Sequence, residues 1–221
     1  SFYNYLRNYA TININKGKTH FEVIALTLYK QQIKNGTLYN ANKYLAVYTY
    51  KNIVTIALRQ KEYEWVNGFI ETHKSYLSSE IQESLYAYCK AKYYFELKEY
   101  AQILPLLQQV IYPSHAVLLE IGARKLLMQT YYELEEWESL LSHINSLRVY
   151  LHRIHSISQD KKLRNRNFVN FLAHLVAAST YLEEPIKQKK QLLKLEKNLA
   201  DLVLISEKNW LSTKLQILMD N

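Results

Sequence analysis

The hydrophobic positions of this chain recur at helical rather than alternating spacing. Between residues 42 and 60, for example, Val47, Tyr48, Ile53 and Ala57 fall near the 3.6-residue period of a helix. Comparable patterns predict eleven helices, over residues 2–14, 19–33, 42–60, 63–77, 80–97, 100–111, 115–134, 137–157, 163–182, 186–205 and 207–219. The last of these could also simply continue the helix before it. We therefore expect an all-α fold built from helix pairs.

The pattern repeats along the chain. Tyr63, Tyr100 and Trp137 stand 37 residues apart, each just past the end of a predicted helix. A fixed period of this size is typical of solenoids, in which each unit buries its apolar face against its neighbours. It predicts a single helical-repeat domain over residues 1–221, made of a diverged first pair (1–36), three clear repeats (42–157), and a C-terminal pair with a capping helix (163–221). The chain lacks an initial Met, which is also compatible with a fragment of a longer protein.

Composition supports helices over strands. Only four Gly and three Pro occur in 221 residues, whereas strands joined by tight turns would need more of both. Tyrosine supplies 20 of the 29 aromatic residues. A tyrosine ring can be buried while its hydroxyl stays in water, so this enrichment favours half-buried positions between helices; in a groove it would also make a recognition surface.

One stretch carries a family resemblance. Tyr94 precedes a short turn, Tyr100 opens the next helix, and Ile103, Leu107 and Val110 follow three, seven and ten residues later. This arrangement resembles the tetratricopeptide repeat (TPR), although the family's turn glycine is replaced by Gln60-Lys61, Leu97-Lys98 and Leu134-Glu135. The general style is also similar to uncharacterised bacterial helical-repeat proteins. The resemblance implies a right-handed α-α superhelix of about five antiparallel helix pairs, acting as a non-enzymatic scaffold that binds a protein or peptide on its concave face.

The resemblance also implies which side chains line that concave face. Eight residues stand at the family's groove positions, among them Thr55 and Phe95. The six that we take as binding candidates are called the groove set: Lys51, Tyr88, Lys92, Lys125, Gln129 and Tyr132. Lysine and tyrosine together suit an extended acidic peptide, through charge and ring packing. The competing interpretation is that the lysines only keep this surface hydrated.

Positive charge is concentrated towards the C-terminus. Of the net charge of +8, residues 148–197 carry +7. Seven basic residues in this stretch form what we call the basic set: Lys161, Lys162, Arg164, Arg166, Lys187, Lys189 and Lys190. They support an alternative function, a helical repeat that binds nucleic acid, although no recurring polar pair of a base-reading code appears. A third reading is a regulatory or sensor domain of a larger protein.

Candidate chemistry is sparse. The single cysteine, Cys89, excludes a disulfide within the chain and a cysteine-based metal cluster. His152 and His155 have the spacing of one helix face, but no third ligand stands near them, which favours a solvated basic edge over a metal site. We see no nucleophile with a neighbouring base and expect no catalytic residue, cofactor or metal.

The chain shows no signal peptide and no apolar run of about 18 residues, so we expect a cytoplasmic protein without a membrane span.

Overall fold

The structure is a computed structural model that describes residues 2–15, 18–108, 110–180 and 185–220. The predicted break after the first helix falls partly on residues 16 and 17, and the predicted end of the ninth helix on residues 181 and 182, all outside the described residues. The described residues form eleven α-helices and no β-strand, which confirms the all-α prediction. The helices are α1 (Phe2–Asn15), α2 (Phe21–Lys34), α3 (Val47–Arg59), α4 (Tyr63–His73), α5 (Ser79–Glu96), α6 (Ile103–Gln108), α7 (Val117–Glu133), α8 (Trp137–Arg153), α9 (Gln159–Thr180), α10 (Pro185–Asp201) and α11 (Lys208–Asp220).

The chain divides into two compact units, Ser1–Thr130 and Tyr131–Asn221, with the boundary inside the last turns of α7. The single repeat domain over residues 1–221 stays a prediction.

Neighbouring helices pack in pairs within the first unit. Contacts join α1 to α2, α3 to α4 and α5 to α6, and further contacts join α2 to α3 and α3 to α5. The side chains between α3 and α4 are fully buried, among them Tyr50, Ile53 and Ile70. The buried Tyr50 hydroxyl donates a hydrogen bond of 3.0 Å to the carbonyl oxygen of Ile70, so the tyrosine fills the core without leaving its polar group unsatisfied.

Side chains that are one period apart in sequence touch in space. In the first unit, Arg59 pairs with the buried Glu22 at 2.8 Å, and the Lys92 ammonium donates to the Thr55 hydroxyl at 3.1 Å; each pair is separated by 37 residues. Equivalent positions on α2 and α3, and on α3 and α5, therefore lie beside each other. This is the local geometry that a 37-residue repeat requires.

The aromatic residues that mark the period occupy similar positions. Tyr63 and Trp137 begin helices, Tyr100 begins a short 3-10 turn before α6, and all three are half-buried. Tyr100 packs edge-on against Phe95 at a centroid distance of 5.4 Å, and Trp137 packs in the same way against Tyr132 at 5.5 Å. Each aromatic contact thus ties the start of a second helix to the end of the first.

The turns that lack glycine keep the backbone conformation that glycine favours. Lys61, Lys98 and Glu135 have φ angles of 58°, 60° and 58°. In the first turn, the N–H of Glu62 donates to the carbonyl oxygen of Ala57 at 3.0 Å, which is the 6→1 bond of a Schellman motif, and the other two turns repeat it. A left-handed conformation is unfavourable for a residue with a Cβ, so each turn holds its residue against an intrinsic preference.

The predicted boundaries of α3 and α6 were wrong. Helix α3 begins at Val47 rather than near residue 42, because the Asn40 side chain accepts hydrogen bonds from the N–H groups of Asn42 and Tyr44 at 3.0 and 2.8 Å and holds a turn there. Helix α6 covers only Ile103–Gln108, after a 3-10 turn over Tyr100–Gln102, instead of the predicted 100–111.

The second unit is built around α9, which contacts α8, α10 and α11. Its buried apolar side chains meet those of the neighbouring helices, among them Phe168, Leu172 and Leu175 on α9, Leu192, Leu195 and Leu199 on α10, and Leu211 and Leu215 on α11. Helix α10 ends at Asp201 and α11 begins separately at Lys208, so the alternative of one continuous C-terminal helix is wrong.

Helices α9 and α10 run antiparallel. The Gln188 side chain donates to the carbonyl oxygen of Ala178 at 3.1 Å, while the Asn167 side chain donates to the carbonyl oxygen of Leu204 at 2.8 Å. The start of α10 therefore lies beside the end of α9.

No helix among the described residues combines the length and apolarity needed to cross a membrane.

Candidate functional site

Four residues of the groove set come together in the first unit. Lys51 lies on α3, Tyr88 and Lys92 on α5, and Lys125 on α7; we call these four the lysine cluster. The Lys51 and Lys92 ammonium groups lie 5.5 and 6.0 Å from the centroid of the Tyr88 ring. All four side chains are half-buried. Helices α3, α5 and α7 thus each direct one positive charge towards the same small area.

Gly122 on α7 makes room for the Tyr88 ring at the centre of this cluster. A Cβ atom at position 122 would lie 3.0 Å from the Tyr88 hydroxyl oxygen and 3.2 Å from two ring carbons. Such distances are too short for ordinary packing, so the ring and α7 approach this closely because residue 122 has no side chain. Our sequence reasoning missed this residue, although a glycine inside a helix, in a chain with only four, is a visible signal.

The electrostatic environment of Lys51 is unfavourable for its charged form. Burial lowers the pKa of the Lys51 ammonium, and the positive charges of Lys92 and Lys125 lower it further. An anion bound among the three lysines would act in the opposite direction, because it would offset both the lost hydration and the mutual repulsion. The cluster is therefore arranged to gain from binding a negative group.

Cys89 lies close to the lysine cluster and is buried. Burial raises the pKa of its thiol to about 12, although the charges of Lys92 and Lys51 act in the opposite sense. The thiolate is the nucleophilic form of cysteine, and very little of it is present at neutral pH. Cys89 is thus a small apolar core residue, as the sequence indicated.

The other two residues of the groove set are buried, and their placement on an open binding surface was wrong. Gln129 is 6% exposed and Tyr132 is 8% exposed. The Tyr132 ring packs edge-on against Trp137 and Trp210, at centroid distances of 5.5 and 5.4 Å, and its hydroxyl is hydrogen-bonded to Ser179. Tyr132 therefore belongs to the interior of the second unit.

The basic set is split into two groups. Lys161, Lys162, Arg164 and Arg166 lie in the first two turns of α9, whereas Lys187, Lys189 and Lys190 lie in the first two turns of α10. Because α9 and α10 are antiparallel, the α10 group lies beside the far end of α9, near Ala178. At a rise of 1.5 Å per residue, Arg164 and Ala178 are about 20 Å apart along the helix. The single basic patch expected from the sequence was therefore wrong.

Metal-binding candidates do not converge. Helix α8 ends at Arg153, so His152 is helical and His155 is not, and the expected common helix face was wrong. Among the described residues, no three histidine, cysteine or carboxylate side chains are grouped so that they could hold a metal ion.

Comparisons of the chain with models of protein families, with curated proteins and with solved structures return no match. In the first unit, the lysine cluster brings together four of the six residues of the groove set.

Proposed function

We propose that this chain is a non-enzymatic, TPR-like helical-repeat module that binds an acidic segment of another protein at the lysine cluster. The observation that supports this most directly is the convergence of Lys51 from α3 and Lys92 from α5 on the ring of Tyr88, with Lys125 of α7 near enough to Lys51 to lower its pKa. Lys51 and Lys125 are separated by two periods and Lys92 belongs to the repeat between them, so the stacking itself gathers the charges.

A protein segment fits this surface better than a small anion. Each half-exposed lysine contributes only about 1 kcal/mol or less to an ion pair, so useful affinity requires several pairs at once. Carboxylates spaced along an extended segment can engage lysines on α3, α5 and α7, while an apolar side chain of the same segment packs on the exposed part of Tyr88. The positive charge also attracts an acidic partner over a distance of about 8–10 Å at physiological ionic strength.

The nucleic-acid alternative has weaker support, since the basic set is divided between two ends of a helical hairpin. A protein that follows a phosphate backbone would benefit from one continuous positive stripe with interleaved rings. A regulatory domain would use the same lysine cluster, with the acidic segment supplied by another part of a larger protein.

Fluorescence anisotropy with labelled peptides and oligonucleotides tests the proposal. The probes are a ten-residue peptide rich in Glu, its Gln counterpart and a single-stranded oligonucleotide. We expect the Glu peptide to bind and the Lys92→Glu/Lys125→Glu double variant to weaken it at least tenfold, with an unchanged melting temperature. The matched control is Lys189→Glu/Lys190→Glu, which changes the net charge equally and should weaken binding less than about twofold at 0.15 M salt because of screening.

Two outcomes contradict the proposal. Equal losses in both double variants would show that only net charge matters. Oligonucleotide binding that is lost in the Lys189→Glu/Lys190→Glu variant and kept in the cluster variant would favour the nucleic-acid alternative.

A further inference from the structure

The second unit contains a cleft that the proposed function does not use. It has a volume of about 600 Å³ and combines aromatic and aliphatic walls with charged groups. Its lining includes the apolar or aromatic residues Tyr132, Trp137 and Ile217 and the charged residues Glu133, Glu135 and Lys214. A concave site with apolar walls and a few placed polar groups is the usual form of a ligand-binding site.

The charges on one side of the cleft are already satisfied by the protein. The Glu133 carboxylate accepts hydrogen bonds from the Trp210 indole N–H at 2.8 Å and from the Lys214 ammonium at 2.5 Å, through its two different oxygens. The side chains of Glu133 and Lys214 are only 12% and 17% exposed. This pair holds α11 against the end of α7 and leaves no net charge for a ligand.

Glu135 is different. Its side chain is exposed, and the carboxylate makes no hydrogen bond or ion pair with any residue in the described part of the chain. Its backbone is fixed by the Schellman turn at φ 58°, two residues before Trp137. A negative charge therefore lines the same cleft as the half-buried Trp137 ring.

We propose that this cleft binds an arginine side chain of a partner protein. The guanidinium group would pair with the Glu135 carboxylate, and its flat face and methylene stem would lie on Trp137 and Ile217. Arginine suits this combination because its planar cation stacks on aromatic rings and pairs with carboxylates in one fixed geometry. An anionic ligand would be repelled by Glu135, and a neutral apolar ligand would gain no attraction from it. The site is independent of the lysine cluster, because none of its residues belongs to the first unit.

Nuclear magnetic resonance of the indole N–H groups tests this assignment with acetyl-arginine amide as the probe. The chain has three tryptophans, and the Trp137 signal is identified from its loss in Trp137→Phe. We expect a saturable shift of the Trp137 signal with a Kd in the millimolar range, as a single cation–aromatic contact and one exposed ion pair allow. Acetyl-citrulline amide has nearly the same shape without the charge and should bind at least about fivefold more weakly.

A matched pair of variants separates the cleft from general electrostatics. Glu135→Gln should weaken the arginine probe about fivefold, whereas Glu136→Gln, its exposed neighbour outside the cleft lining, should change it less than twofold. Both substitutions are at exposed positions, and unchanged melting temperatures verify that they fold. Equal binding of the citrulline probe, equal losses in the two variants, or no saturable shift of Trp137 would each overturn the proposal.

Discussion

Replacing Lys61 and Lys98 by glycine should stabilise the protein. Both residues occupy the left-handed position of a Schellman turn, with φ of 58° and 60°, and both side chains are exposed. Glycine reaches this conformation without steric cost, and it is the usual residue at this position of helix ends. The substitution removes no buried contact, so backbone strain is the main quantity that changes.

The magnitude follows from two opposing terms. A left-handed conformation destabilises a residue with a Cβ by about 1–2 kcal/mol, and glycine avoids this strain. Glycine also has more freedom in the unfolded chain, which lowers the stability of the folded state by about 0.5–1 kcal/mol. The net gain is about 0.5 kcal/mol per turn, or about 1 kcal/mol for the double variant. For a chain of this size, 1 kcal/mol corresponds to a rise in melting temperature of about 2–4 °C.

Urea unfolding followed by circular dichroism, together with thermal melts, measures this gain. The control for losing the lysine side chains is Lys61→Ala/Lys98→Ala, which keeps the strain and should not be more stable than the parent. A second control is Gln60→Gly, one residue earlier at φ −81°. It should destabilise by at least about 0.5–1 kcal/mol, because glycine has no conformational advantage there and because the Gln60 side chain donates to the buried Glu22 carboxylate at 3.1 Å. If the glycine double variant is no more stable than the alanine double variant, the left-handed strain inferred from the backbone is wrong.

Three further predictions concern the first unit. Gly122→Ala should not stabilise α7, because its methyl group displaces Tyr88, and it should also weaken acidic-peptide binding. Gly68→Ala is the matched control, because an added Cβ there would have no neighbouring atom within 4 Å. It should raise the free energy of unfolding by up to about 1 kcal/mol in the same urea titration. Because the pKa of Lys51 is lowered, acidic-peptide affinity should fall with rising pH before the ordinary lysine value of 10.5 is reached. The Lys51→Arg variant stays charged, so its affinity should depend less on pH in the same anisotropy titrations. Tyr50→Phe removes a buried hydrogen bond and should cost about 1 kcal/mol in urea unfolding; an unchanged midpoint would contradict that bond.

The helices and their approximate order could be predicted because they depend on local periodicity. The 37-residue spacing of Tyr63, Tyr100 and Trp137 correctly predicted where α4, the 3-10 turn before α6, and α8 begin. The start of α3 could not be placed in the same way. Apolar residues continue at helical spacing before Val47, but the Asn40 side chain competes for the backbone N–H groups that a helix would leave unpaired.

Burial at the end of α7 was the main failure of the site prediction. Gln129 stands one period after Lys92, and Tyr132 stands one period after Phe95; repeat position alone predicts equal exposure within each pair. Tyr132 is instead covered by Trp137 and Trp210, and the second of these lies 78 residues further along the chain. A contact of this kind depends on the tertiary packing of α11, for which the helical pattern contains no signal.

Charge shows the same distinction between neighbours in sequence and neighbours in space. Lys162 and Lys187 are 25 residues apart and lie towards opposite ends of the α9–α10 hairpin, whereas Thr55 and Lys92 are 37 residues apart and share a hydrogen bond. In a stacked repeat, residues approach when their separation is a multiple of the period, because each unit places equivalent positions on the same wall. A run of basic residues is therefore a poor guide to a binding surface in such a chain. In the lysine cluster, Lys51, Tyr88 and Lys125 recur at one repeat position, and Lys92 donates to Thr55 one period earlier.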